Sequence, residues 1–126
     1  MNRYQYARIL GVFLLAAGVG ALAVSYPSPL WLGAQAALLV VSGAFQILSG
    51  TPNALRERLG PHRLLGIGNV ALGASLVTSG LQEFASDAEV AYIVAVVLGG
   101  GSLVFIGLAY VFRPGDIGLG PDGYPE

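Results

Sequence analysis

The chain contains no cysteine, no lysine and a single histidine among its 126 residues. Without cysteine there is no disulfide, no thiolate metal site and no thiol nucleophile. The one histidine, His62, stands between Pro61 and Arg63 and lacks the neighbouring ligands that a metal site requires. Charge is equally scarce. Only 10% of residues are charged, against about 25% in an ordinary soluble domain. The net charge of −1 offers nucleic acid no basic surface. No charged residue occurs between Arg8 and Arg56, across 64–82, or across 90–112. What fills those stretches is apolar: 55% of the chain is hydrophobic and its mean hydropathy is +0.71.

A helix needs about 20 apolar residues to cross about 30 Å of hydrocarbon. The uncharged stretches therefore predict four transmembrane helices, over about 7–25, 30–49, 63–81 and 89–112. Tyr26-Pro27-Ser28-Pro29 separates the first two, and Glu83–Ala88 separates the last two. Turns this short imply two antiparallel hairpins in an all-α integral membrane protein, a four-helix bundle. Between the pairs, Thr51 as N-cap, Pro52 at the first helical position and Gly60-Pro61 as a stop predict a short helix over 53–59. Leu55 and Leu59 would dip into the interface, and Arg56 and Arg58 would meet lipid headgroups. Residues 113–126, with their prolines, glycines and acidic groups, read as a flexible cytoplasmic tail beyond a 1–112 transmembrane domain.

The arginines orient the helices. Arg3 and Arg8 precede the first, Arg56, Arg58 and Arg63 lie between the second and third, and Arg113 follows the fourth. Cytoplasmic flanks carry the basic excess, so both termini are expected in the cytoplasm and the chain in the plasma membrane of a prokaryote. The opposite side carries Glu83, Asp87 and Glu89, a solvated acidic loop. Tyr26, Trp31 and Tyr92 would form the outer aromatic belt, with Tyr4, Tyr6, Tyr110 and Phe112 at the inner one. The first segment also has the outline of a signal peptide, with Ala21-Leu22-Ala23 as a cleavage site. Its recurrence as a later full span opposes that reading.

That recurrence is gapless. Arg8, Leu10, Gly11, Ala16 and Gly18 match Arg63, Leu65, Gly66, Ala71 and Gly73. The register fails in the second helix of each pair, so a two-helix duplication (about 7–50 and 63–112) rests mainly on the first. Chance similarity between two Gly/Ala/Leu-rich helices is the competing account. Small residues also recur every seven positions: Gly11, Gly18 and Ser25; Ala36, Gly43 and Gly50; Gly66, Gly73 and Gly80; Ala95, Ser102 and Ala109. Helices in lipid associate through such seams, which makes Gly11, Gly18, Gly43, Gly66, Gly73 and Ser102 the candidate packing residues.

Uncharged polar groups are the remaining intramembrane candidates. Gln35, Ser42, Gln46 and Ser49 form one stripe of the second helix, and Asn69 shares a face with Gly66 and Gly73. The stripe is either interhelical glue, the favoured account, or the wall of a pathway for a small neutral solute. Gly99-Gly100-Gly101 is no phosphate loop, since neither a strand nor a Gly-Lys-Ser/Thr accompanies it. No nucleophile, base and orienting acid can be assembled within the spans, and no ionisable relay exists for proton coupling. The first-helix glutamate on which small multidrug exporters depend is missing, and so is the glycine-rich motif of four-helix fluoride channels.

Gly11, Leu14, Gly18 and Pro27, followed by Gly43, Gln46 and Ile47, give residues 8–50 a pattern that resembles the short two-helix repeat of HdeD-like small membrane proteins. The second half keeps only Gly66 and Gly73 of it. The resemblance implies a stress-related membrane component with no catalytic residues to carry over. The expectation is therefore a non-catalytic multi-pass protein without cofactor or metal. It would act by helix packing, with the lipid bilayer and a second copy or another membrane protein as partners. A passive channel or facilitator is the alternative.

Overall fold

The structure is a computed structural model that describes residues 3–24, 30–85, 89–120 and 124, without the side chains of residues 31 and 83–85. Four long helices dominate it: α1 (Arg3–Val24), α2 (Leu30–Gly50), α4 (Pro61–Ala85) and α5 (Val90–Phe112), with the short α3 (Ala54–Leu59) between the pairs. All four long helices are long and apolar enough to cross a membrane, which marks the chain as a membrane protein. Large apolar side chains such as Phe13, Leu98 and Phe105 lie uncovered on their outer faces, as expected where the neighbour is lipid. The expected Tyr26–Pro29 turn, the Trp31 side chain, and the Glu83 and Asp87 side chains fall outside the described residues.

Backbone-to-backbone contact joins α1 to α2. A Cβ placed on Gly11 would stand 2.6 Å from the Gly43 carbonyl oxygen, and one on Gly43 would stand 2.6 Å from the Gly11 carbonyl oxygen. Seven residues on, a Cβ on Gly18 would stand 2.9 Å from the Ala36 carbonyl oxygen. Seven residues back, Gly50 lies against the Tyr4 carbonyl. Going up one helix and down the other in equal steps means that the two run antiparallel.

The same geometry joins α4 to α5. A Cβ on Gly66 would stand 2.5 Å from the Gly107 carbonyl oxygen, Gly73 lies against the Gly100 carbonyl, and a Cβ on Gly80 would stand 3.7 Å from the Ile93 carbonyl oxygen. Ile93, Gly100 and Gly107 are the buried residues of α5, one heptad face of small or branched side chains. Here the expectation for Ser102 is corrected. Ser102 is exposed, its hydroxyl turned back onto the Leu98 carbonyl at 2.8 Å, and Ala95 is exposed with it. With three consecutive glycines, α5 admits several small-residue frames, and the backbone of α4 selects the one through Gly100.

A third packing face joins α2 to α4, also antiparallel. Ser42 of α2 stands opposite Gly68, and Gln35 stands opposite Ser75. The helices therefore follow one another in the order α1, α2, α4, α5 and do not close into a four-helix bundle. On α2, the positions that face α4 (Gln35, Ser42) precede those that face α1 (Ala36, Gly43) by one residue. On α4, the positions that face α2 (Gly68, Ser75) follow those that face α5 (Gly66, Gly73) by two. The row is consequently bent at α2 and nearly straight at α4.

The short α3 begins at Ala54, one residue later than expected. Asn53, not Thr51, is the N-cap, and its Oδ1 accepts from the Arg56 backbone N–H at 2.9 Å. Its Nδ2 also donates to the Leu48 carbonyl at 2.9 Å, which ties the cap to the end of α2. Gly60 ends α3 with φ +89°, a backbone region that side chains resist, and Pro61 opens α4 at a position where its missing N–H costs nothing.

Of residues 113–126, expected to be a flexible tail, the described ones (113–120 and 124) fold back over this end. Pro114–Ile117 form a 3-10 turn and Gly118 closes it in the left-handed conformation. Leu119 is 3% exposed. The Gly120 N–H donates to the Tyr124 carbonyl at 2.7 Å, and the Tyr124 ring stands edge-on to Tyr4 at 5.5 Å. Two apolar anchors suffice to dock the described part of a segment whose composition reads as unstructured.

Candidate functional site

The polar stripe of α2 points into the α2–α4 interface. Ser42, Gln46 and Ser49 are fully buried. The Ser42 hydroxyl donates to the Gly68 carbonyl at 2.7 Å, and Gln46 Nε2 donates to the Ser42 oxygen at 3.1 Å. Ser49 donates to the Gln46 carbonyl at 2.7 Å, within its own helix. Gln35 takes part through its backbone: its carbonyl accepts from the Ser75 hydroxyl at 3.3 Å. Gly68 makes this approach possible, because a Cβ there would lie 2.8 Å from the Gln46 side chain. A helical carbonyl keeps a second lone pair beyond its own i+4 bond, and a hydroxyl is poorly solvated in hydrocarbon, so pairing the two across the seam is worth roughly 0.6–2 kcal/mol.

Asn69 does not join the stripe. It lies on α4 beside a groove of about 490 Å³ bordered by Leu10 and Phe13 of α1, Gln46 of α2, Leu65 of α4 and Tyr110 of α5. This groove occupies the concave side of the bent row, and α1 and α5 form its walls. At the arginine-bearing end it is bridged. Arg3 Nη1 donates to the Tyr110 hydroxyl at 2.9 Å, and the guanidinium carbon lies 5.8 Å from the centre of that ring. Tyr4, Ala7 and Leu65 form the buried cluster beneath, with Tyr110 and Tyr124 packed on it. Arg56 of α3 donates from Nη2 to the Tyr124 hydroxyl.

His62 is buried, at 4% exposure, and its ring abuts Gly60. Leu119 and Gly120 of the returning segment line one pocket with His62. Among the described residues no three His, Cys, Asp or Glu side chains come together as a metal site would need. Glu89 is exposed. The described geometry thus offers buried hydrogen bonds, close backbone contacts and a groove on the concave side of the row.

Sequence reasoning missed Gly68 and Ser75, the α4 half of the polar seam. Their only signal was spacing: each follows a glycine of the α5-facing heptad by two residues. It also missed the Arg3–Tyr110 and Arg56–Tyr124 pairs, whose members lie 107 and 68 positions apart and carry no local pattern. Residues 1–117 match the model of a protein family described as a family of unknown function (DUF7994). No curated protein matches the chain, and no solved structure does.

Proposed function

The chain belongs to this family of unknown function, and from its geometry we propose a non-catalytic multi-pass membrane protein that acts through helix packing and partner interaction. The observation that carries the reading is the use made of the polar side chains. Ser42, Gln46 and Ser49 are buried with their hydrogen-bonding groups directed at protein partners. A pathway for a neutral solute, the other reading of the stripe, would need those groups turned towards an aqueous route.

Within this reading the helices form two antiparallel hairpins with both termini in the cytoplasm of a prokaryotic cell, because all six arginines gather at one end of the row. The hairpins are two copies of one unit. Gly11 and Gly43 are 32 positions apart and their counterparts Gly66 and Gly107 are 41 apart. Nine additional residues in the second unit account for a sequence register that holds in its first helix and fails in its second. The likeness of residues 8–50 to HdeD-like repeats favours a stress-related component over other kinds of scaffold or accessory subunit.

The test is purification from native membrane in mild detergent, followed by mass spectrometry of the retained species. An oligomer or a defined complex is the expected result. A monomer that retains no partner, or a purified protein that conducts a neutral solute across vesicles, would overturn the reading.

A further inference from the structure

The α2–α4 interface has a counterpart on each outer helix, and neither counterpart is covered. On α2 the α4-facing positions lie one residue before the α1-facing ones. The same step on α5, taken from Gly100 and Gly107, gives Gly99 and Ile106, with Arg113 one heptad further. On α4 the α2-facing positions lie two residues after the α5-facing ones. The same step on α1, taken from Tyr4, Gly11 and Gly18, gives Tyr6, Phe13 and Gly20. Tyr6, Phe13 and Ile106 are 62%, 68% and 43% exposed. A Cβ on Gly20 or Gly99 would meet nothing within 4 Å.

We propose that these two faces pack on each other between two copies of the chain, α5 of each against α1 of the other, to close a two-fold ring of eight helices. The inference rests on the packing reading above and names the partner. Transferring the register of Ser42 on Gly68 places Ile106 against Phe13, Gly99 against Gly20, and Arg113 against Tyr6. That pairing is chemically complementary. Two glycines meet where both backbones are bare, two large apolar groups meet where both are uncovered, and a guanidinium reaches a phenol ring at the membrane edge.

The bend of the row gives the number of copies. A helix turns about 100° per residue. Neighbours one residue apart on α2, and by transfer on α5, subtend about 100°, while neighbours two residues apart on α4 and α1 subtend about 160°. All four angles open on the same side, the side of the groove at Leu10, Asn69 and Tyr110. Each copy therefore turns the row by roughly half a circle, so two copies close it. A head-to-tail contact whose rotation closes gives a ring, not a fibre. The two grooves then face one another across the axis.

Because the chain has no cysteine, paired cysteines provide the test. Gly20→Cys and Gly99→Cys chains, co-expressed and oxidised in native membranes, should cross-link into a species of twice the chain mass. Either variant alone should not, since each position faces the other helix and not itself. The pair Val12→Cys and Leu108→Cys, on the convex side, should remain uncross-linked. Cross-linking of Gly99→Cys with itself, or of the convex pair, would overturn the arrangement. A ladder extending beyond two chains from a double variant would overturn the closure.

Native mass spectrometry of the unaltered protein in nanodiscs gives a check that does not depend on variants: two chains are expected, and any other number overturns the ring. A single copy bound to a different membrane protein would overturn the ring and leave the packing reading standing. A dimer that conducts a neutral solute would do the reverse.

Discussion

Where Gly11 crosses Gly43, two helix backbones touch, and a side chain at either position has no room because the obstructing atom is the other helix's carbonyl. Replacing Gly11 by Leu forces α1 and α2 apart along the seam that Gly18 and Ala36 continue. The expected cost is about 1–3 kcal/mol, the usual range for overpacking, read as a lower midpoint of unfolding in detergent. Gly101 supplies the control: nothing lies within 4 Å of its would-be Cβ, so Gly101→Leu should leave the midpoint unchanged. Equal losses at both positions would remove the distinction between seam and lipid-facing glycines.

Ser42 presents the polar counterpart of the same contact. Ser42→Ala removes the bond to Gly68 and leaves Gln46 Nε2 without its acceptor. A loss of about 0.6–2 kcal/mol is expected. The experiment is a comparison of unfolding curves for Ser42→Ala and for Thr78→Ala, whose hydroxyl bonds only within its own helix, to the Ala74 carbonyl. If both lose the same amount, the interhelical bond contributes nothing of its own.

At the scale of elements, the helices were legible because absence of charge and apolar length are properties of single segments. The observed α2 and α5 begin and end within about one residue of the sequence expectation. The start of α1 lies four residues earlier, since Arg3–Tyr6 continue the helix as the cluster-forming end. The seam of α5 was not legible. Ala95, Ser102 and Ala109 fit a heptad as well as Ile93, Gly100 and Gly107 do, and only contact with Gly66 and Gly73 of α4 separates them. The polar stripe was legible as a stripe, but its partner is a backbone carbonyl at Gly68, which has no sequence signature.

The returning C-terminal segment was hidden for a similar reason. Its docking depends on Leu119 and on Tyr124 against Tyr4, two residues in an otherwise polar and glycine-rich stretch. Tyr124→Ala removes both the ring contact and the bond from Arg56. Aromatic pairs contribute about 0.5–1.5 kcal/mol beyond the area that they bury, enough to hold or release so short a segment. Faster amide exchange over Leu119 and Gly120 in Tyr124→Ala is the expected outcome. Unchanged exchange would mean that Leu119 holds the segment alone.

For the whole molecule the order α1, α2, α4, α5 and the placement of all six arginines at one end support the orientation proposed above. A basic flank on the translocated side would oppose the cytoplasmic preference for Arg, and here no arginine lies at that side of any helix. The cysteine-free chain allows each end to be probed separately. Asn2→Cys and Gly123→Cys should resist a membrane-impermeant maleimide in intact cells and react after lysis. Ser28→Cys and Ala88→Cys should react in intact cells. The reverse pattern would invert the protein while keeping four spans. Labelling of one terminus alone would require an odd number of crossings, and would remove a helix from the membrane together with the α2–α4 seam on which the packing reading stands.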